Sequence, residues 1–399
     1  LSDAVVGWDN DPRLPPWPGF AALTGSVVAD ACVIGLGGSG LAAIDELTAR
    51  GLSVVGVDAG RVAAGAAGRN GGFLLGGGAP SIQDAQARWG ADAARDLYRR
   101  TLAELDDLVE RLGPDVIRRT GSIRLAGLPG DPRTEAEARD RERERADCAE
   151  QFAVLTAAGV AVETYEGPLG HGLFLPDDAA MNPARRALVL ASQLSGRLFE
   201  HSPVTDITPG LVRTERGEVR AGVIIVAVDG KLEVLLPQLA PLVRTARLQM
   251  LATTPGLPTR LPCPVYGRWG YDYAQQDHTG RILVGGGRDQ FVEQEWTADT
   301  HTTESVQSWI EQVAARMAGR AVTVAHRWAA SVGYTEDGRA LCLSVNDGVV
   351  ACGGYSGTGN LVGPVAARAA VALAIDGTEP PSYFRSKSLP VAERTPEAV

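Results

Sequence analysis

The sequence predicts an α/β fold organised on a parallel sheet, and three observations carry that expectation. The first is an apolar run, Ala31-Cys32-Val33-Ile34, that ends in a glycine-rich turn. The second is a helix pattern followed by another apolar run that ends in an acid. The third is a later stretch, Val223 to Val228, that is apolar at every position, as in a strand buried on both faces.

The turn reads Gly35-Leu36-Gly37-Gly38-Ser39-Gly40 and fits G-x-G-x-x-G. Leu41, Ile44 and Leu47 stand at helical spacing after it, and Gly51 closes the helix. Ser53 to Val57 is the second strand, and Asp58 follows it. Strand, turn, helix, strand and acid in this order form a Rossmann-type dinucleotide-binding unit. Gly35 allows the tight turn, Gly37 lets a pyrophosphate approach the backbone, and Gly40 lets helix and strand pack closely. The helix N-terminus offers free N–H groups and the positive end of its dipole. Asp58 is placed to accept from ribose hydroxyls, and its charge repels a 2′-phosphate, which argues against NADP.

Composition narrows the class. The chain has 399 residues, 45% hydrophobic and 22% charged, as expected of a globular protein of about two domains. Its net charge is −10 and it has no basic tract, which argues against nucleic-acid and anionic-membrane partners. No apolar stretch reaches the roughly 20 residues that span a bilayer. The N-terminal LSDAVVGWDNDPRLPPW lacks the basic-then-apolar order of a signal peptide. Five cysteines without a C-x-x-C pattern predict neither zinc nor a disulfide framework, and no metal site is expected. Reduced thiols suit a cytoplasmic location. Lys231 and Lys387 are the only lysines, so Schiff-base chemistry has few candidates.

Further along, Leu1 to Val28 reads as an extended arm on the surface. The glycine-dense loop Gly65 to Gly78, around Arg69-Asn70, predicts close backbone approach to a flat or phosphorylated group. Asp84 to Leu112 is expected to be one helix or a pair, and Arg133 to Ala158 a long helix with i,i+4 pairs such as Glu137 with Arg141. Pro183 falls near the first position of another helix. Leu198 to Ile207, Gly210 to Arg213 and Ala221 to Val228 read as strands. Pro241 to Val292 is strand-rich and aromatic. Helix Glu304 to Met317, strand His326 to Val332 and a hairpin about Asn346-Asp347-Gly348 follow. The loop Gly353-Gly354-Tyr355-Ser356-Gly357-Thr358-Gly359-Asn360 then opens a last helix. Its glycines let backbone N–H groups face a planar ring, and the helix dipole favours negative charge there.

These motifs resemble the FAD-dependent oxidoreductases of the D-amino-acid oxidase, glycine oxidase and sarcosine oxidase type, and most of all their γ-glutamylputrescine oxidase-like branch. ADACVIGLGGSGLAA, GAAGRNGGF, MNPAR, DHTGRILVGGG, RWAASVGYTEDG and CGGYSGTGN carry the resemblance, which covers nearly the whole chain. It implies a discontinuous FAD domain (1–80, 160–240 and 325–399) and an inserted substrate domain (81–159 and 241–324) with an antiparallel sheet plus helices. It implies cofactor contacts at Gly35, Gly37, Gly38, Ser39, Gly40, Asp58, Ala59, Arg61, Ala67, Arg69, Asn70, Gly71, Gly72 and Val204. In the terminal loop it implies them at Gly353, Gly354, Tyr355, Ser356, Gly357, Thr358, Gly359 and Asn360.

Departures from the pattern matter too. Ala67 stands where the related loop usually has Ser. Val332 stands where sarcosine oxidase-like members carry the flavin-linked Cys, so non-covalent FAD is expected. Val332 also falls where glycine oxidase-like members carry a carboxylate-binding Arg, which weakens the case for an α-amino acid held in that way. Leu283 stands where an oxygen-activating Lys is usual, which leaves O2 or another acceptor open. The substrate-face candidates are Trp269, Tyr271, Tyr273, Trp328, Tyr334 and Tyr355, an aromatic wall suited to an amine. His326 is a candidate base, and Arg69 and Arg288 are candidates for the cofactor or an acidic substrate group. The expected activity is oxidation of a C–N bond in a small amine or amino-acid-like substrate. The alternatives are an NAD-dependent reductase and a flavin-binding protein without turnover.

Overall fold

The computed structural model describes residues 5–385 and contains three sheets. The first grows from the strand Gly25–Ile34, which pairs in parallel with Val54–Val57 on one side and Gly217–Val226 on the other. Arg197–Phe199 extends it beyond Val54–Val57, and Val349–Gly353 joins the C-terminal half of Gly217–Val226, both in parallel. The apolar runs at Ala31 and Val223 are therefore neighbours, in the register Ala31 opposite Val223 and Ile34 opposite Val226. Two antiparallel additions cap this sheet: the hairpin Val204–Thr208 with Leu211–Thr214, and the strand Leu341–Asn346. The helices Gly38–Ala49 and Gly359–Asp376 share one hydrophobic core on its face. Gly359–Asp376 is apolar enough by composition to cross a membrane, but it is half buried and packs in this core.

The second sheet runs, in order, Val324–Tyr334, Arg244–Thr253, Ile282–Gly285, Asp272–Gln276, Val265–Gly267, Ser122–Leu125, Gly170–Leu175 and Glu163–Gly167. It is antiparallel, as the resemblance implies, except where Val265 and Tyr266 pair in parallel with Ile123 and Arg124. Two expected segment limits differ from its course. Glu163–Gly167 and Gly170–Leu175 fall within 160–240, and nearly all of Val324–Tyr334 falls within 325–399, yet all belong to this second sheet. Periodicity identifies a strand but not the sheet it joins. A small third sheet links Phe73–Leu74, Ala179–Met181 and Ile117–Arg118.

Local chemistry explains several boundaries. Asp84 to Leu112 is a pair, Ile82–Trp89 and Ala91–Leu112, broken at Gly90. Asn182 caps Pro183–Gln193 by accepting from the Arg185 N–H, with Pro183 in the first turn. Glu135–Ala157 starts at the Thr134 cap, but the expected Glu137–Arg141 pair does not form. Glu137 pairs with Arg316, and Arg141 donates to the carbonyls of Leu128 and Gly130. Tertiary partners displaced the local pair.

The N-terminal arm also departs from expectation. Val6 and Trp8 are buried in a cluster with Met250, Leu283 and Trp328. The carboxylate of Glu200 accepts from the Trp17 indole, the Phe20 N–H and the Val62 N–H. The arm is a structural strap joining both sheets.

Candidate functional site

A cavity of about 1310 Å³ runs from the glycine turn of the first sheet to the face of the second. Small-molecule pockets are typically about 300–1,000 Å³, so this one has room for a dinucleotide and a second ligand. Every residue of the predicted cofactor set lines it except Gly40, Arg61, Gly72, Gly353 and Gly354.

At one end the turn has the geometry that its spacing predicts. Gly35 has φ +99°, in the region that favours glycine, and its N–H donates to the Val57 carbonyl. A Cβ on Gly40 would stand 1.7 Å from the Gly35 carbonyl oxygen, so only glycine fits. The Asp58 carboxylate accepts from the Leu36 N–H at 2.7 Å and the Gly60 N–H at 2.8 Å, which fixes the turn to the second strand. Burial pushes its carboxyl up, against these two hydrogen bonds. Arg61 is a correction: it pairs with Asp9 in the arm and stays outside the cavity.

In the middle, the two glycine loops meet. The side chains of Asn70 and Asn360 exchange hydrogen bonds of 3.1 and 3.0 Å across 290 residues of chain. Asn360 also donates to the Phe73 carbonyl, and Asn70 accepts from the Gly72 N–H. The Trp8 indole donates to the Asn70 carbonyl. Arg69 is buried; it donates to the Ala329 carbonyl, and its own carbonyl accepts from the Trp328 indole. Asp229, at the end of the adjoining strand, accepts from the N–H groups of Gly333 and Tyr355. This buried carboxyl is pushed up to about 6 by burial, opposed by those N–H groups. It ties the terminal loop to the second sheet, and nothing in the local sequence marks it.

The far wall belongs to the second sheet. Trp269, Tyr271, Tyr273 and Tyr334 line it; Tyr355 lines the cavity nearer the glycine turn, buried in the first core against Gly359, and Trp328 and His326 do not line it. Trp328 is fully buried in the core with Trp8. His326 faces Asn10 in the arm, 3.1 Å from its side-chain nitrogen. Both lie on Val324–Tyr334 on the same face as Ala330, Val332 and Tyr334, but the arm covers their end of it, with Trp8 against Trp328 and Asn10 against His326, while Ala330, Val332 and Tyr334 line the cavity. Leu283 is core as well.

Arg288 stacks over Tyr334 at 4.2 Å and Trp296 at 4.4 Å, and has no carboxylate within 4.0 Å among the described residues. Arg268 and Trp269, at the rim, both have positive φ (50° and 55°). Arg268 is held by Asp272 and Asp289, while the Trp269 N–H donates to buried Glu144. Two consecutive non-glycine residues in this region store strain.

Sequence reasoning missed three polar contributors. Asp178 lines the cavity, accepts from the Ser122 hydroxyl and Gly76 N–H, and is pushed up to about 7 by burial. Arg124 pairs with Asp147 and bonds Gln151 beside it. Arg186, on Pro183–Gln193, points at the glycine turn. It sits among Ala184, Ala187 and Leu188, which are buried, so a cation on an apolar helix face was the available signal.

The comparisons bear on the family and the fold. The family model described as FAD dependent oxidoreductase matches residues 30–373. A gamma-glutamylputrescine oxidoreductase of Escherichia coli (strain K12) is 27% identical over 285 residues, 67% of this chain and 66% of that protein, just under two thirds of its length. A probable oxidoreductase OrdL of Rhizobium meliloti (strain 1021) is 27% identical over 370 residues, 87% of this chain and 83% of that one. Among solved structures, glycine oxidase from Geobacillus kaustophilus superposes with TM-score 0.67 at 19% identity, covering 88% of this chain and 96% of that one. L-proline dehydrogenase from P. horikoshii gives 0.67 at 17% identity, covering 91% and 97%. These structural likenesses speak for the fold alone. The residues present fit FAD: a backbone turn shaped for a pyrophosphate, a buried guanidinium without a partner beside it, and two joined glycine loops further along one cavity.

Proposed function

This chain belongs to the family of FAD-dependent oxidoreductases, and from that premise we propose that it oxidises a C–N bond of an amine or amino-acid-like substrate with non-covalent FAD. The observation that carries the reading is the meeting of the Asn70 and Asn360 loops inside the cavity that begins at the glycine turn. When bound, FAD supplies a two-electron acceptor that takes a hydride from the carbon next to nitrogen, leaving an imine for water to hydrolyse and two electrons for O2 or another acceptor.

The protein's own groups divide the work. The turn at Gly35–Ser39 and Asp58 would hold the ADP portion, and the loops at Arg69–Gly71 and Tyr355–Asn360 the ring portion. The N-terminus of Gly359–Asp376 favours negative charge beside it. Tyr271, Tyr273 and Tyr334 would form an apolar and cation-attracting wall for the amine. Positioning against that wall supplies rate without a dedicated base, because a neutral amine already carries the electron pair that expels the hydride. Arg288, a cation without a carboxylate of its own, suits a substrate with an acidic group as well as an amine. The γ-glutamylputrescine oxidoreductase relative makes an amine with a distant acid one probe to include.

The test is an anaerobic screen. Purified protein should be yellow, release its flavin on acid precipitation, and bleach with at least one primary or secondary amine; air or an artificial acceptor should restore the colour. Protein that is colourless and binds NAD instead would refute the reading, and flavoprotein that no amine or amino acid bleaches would favour a binding role. In Arg288→Met, the KM for an acid-bearing amine should rise roughly 10- to 100-fold, with the flavin spectrum intact.

A further inference from the structure

We infer that Arg186 is the cation that grips the pyrophosphate of the bound dinucleotide, a contact that the G-x-G-x-x-G pattern does not contain. The inference rests on the FAD reading above. Arg186 is only 2% exposed, yet its Nε and Nη2 are buried without a hydrogen-bond partner. Its Nη1 lies 3.1 Å from where a Cβ on Gly38 would stand, so the guanidinium lies against the glycine turn, and it lines the cavity there. Across the turn stands Ala67, 3.4 Å from a Cβ on Gly37, with no side-chain donor to offer.

No carboxylate within 4.0 Å neutralises Arg186 among the described residues. Glu104, the acid whose charge acts on it, is engaged by Arg368 at 3.1 Å. Burial pushes the guanidinium down to about 10. A cation held in this way is unfavourable until an anion arrives. A pyrophosphate supplies two negative charges and oxygens that the planar guanidinium can meet in a fork. The backbone N–H groups at the start of Gly38–Ala49 would take the other oxygens.

The experiment compares wild type, Arg186→Met and Arg186→Lys, all full length. FAD release from the holoprotein is followed by the rise in flavin fluorescence. Thermal stabilisation of the FAD-free chain is read with ADP and with adenosine, which differ by the pyrophosphate. R186M should release FAD roughly 10- to 100-fold faster, lose its stabilisation by ADP and keep that by adenosine. R186K keeps a point charge without the fork and should fall between the two. FAD-free R186M should melt no lower than FAD-free wild type, because an unpaired charge has gone. Unchanged FAD release, equal loss for ADP and adenosine, or a lower melting point in FAD-free R186M would each overturn the inference. Wild-type protein that binds no flavin would instead overturn the reading beneath it.

Discussion

The two ends of the cavity are built by different means. The phosphate end is made of backbone: a tight turn, a helix N-terminus and a carboxylate that orders them, all within Gly35 to Asp58. The opposite end, where the proposed reaction would take place, is made of side chains that arrive from Tyr271, Tyr273, Arg288 and Tyr334 on separate strands and loops. Backbone sites need glycine at fixed spacing, since a Cβ would fill the space that the ligand or a neighbouring carbonyl occupies. Side-chain sites need only that a residue face inward, and many sequences meet that condition. The first end should therefore fail sharply on small changes, and the second should tolerate them or shift specificity.

The largest expected effect tests the backbone end. Gly40→Ala drives a Cβ into the Gly35 carbonyl, 1.7 Å away. The turn must open, and we expect at least ~3 kcal/mol of destabilisation together with loss of flavin, read by chemical denaturation and the visible spectrum. If flavin binding survives intact, the two ends do not differ as described.

Asn360→Ala tests the joint between them. It removes the reciprocal contact with Asn70 and the donor to the Phe73 carbonyl. A loss of about 1–2 kcal/mol is expected, with weaker FAD binding measured by fluorescence titration. A loss of turnover with FAD affinity unchanged would place the joint wholly on the reaction side.

A smaller effect is a pH dependence. Burial raises Asp178 and Glu144 to about 7 and Asp229 to about 6 in the folded chain, from 3.8, 4.5 and 3.8. Between about pH 4 and 7 the folded protein therefore holds protons that the unfolded chain has released. Stability falls as pH rises through that window, and is regained as pH falls towards 4. Thermal midpoints should decline from pH 5 to pH 7.5, and Asp178→Asn should flatten the decline. Asp11, at about 2, titrates below this range. Midpoints that rise over the same window would show that these carboxyls are ionised throughout.

The smallest effect is expected at His326, which lies outside the cavity beside Asn10. His326→Gln should change stability by less than ~0.5 kcal/mol and leave kcat within about twofold. A large fall in kcat would return it to the reaction.

Much of the fold and of the nucleotide end was legible because it follows from local rules. Apolar runs predict buried strands, Gly51 and Pro183 mark helix limits, and the glycine spacing with Asp58 defines the turn. The reaction end was legible only by half. Tyr271, Tyr273 and Tyr334 face inward, whereas Trp328 and His326, on the same strand as Tyr334, turn to the core and to the arm. Strand alternation puts His326, Trp328 and Tyr334 on one face; it does not say where along that face the cavity ends and the arm begins.

By itself, then, the sequence determined the dinucleotide turn, the order of strands and helices, and the two asparagine-bearing glycine loops. Only the tertiary structure decided that Asn70 bonds Asn360, that the arm buries Trp8, that Glu137 abandons Arg141 for Arg316, and that Arg186 stands unpaired beside Gly38. The physical reason is range. Backbone conformation and hydrophobic period are set by residues a few positions apart, but a buried charge or amide is satisfied by whatever the fold brings within about 3 Å.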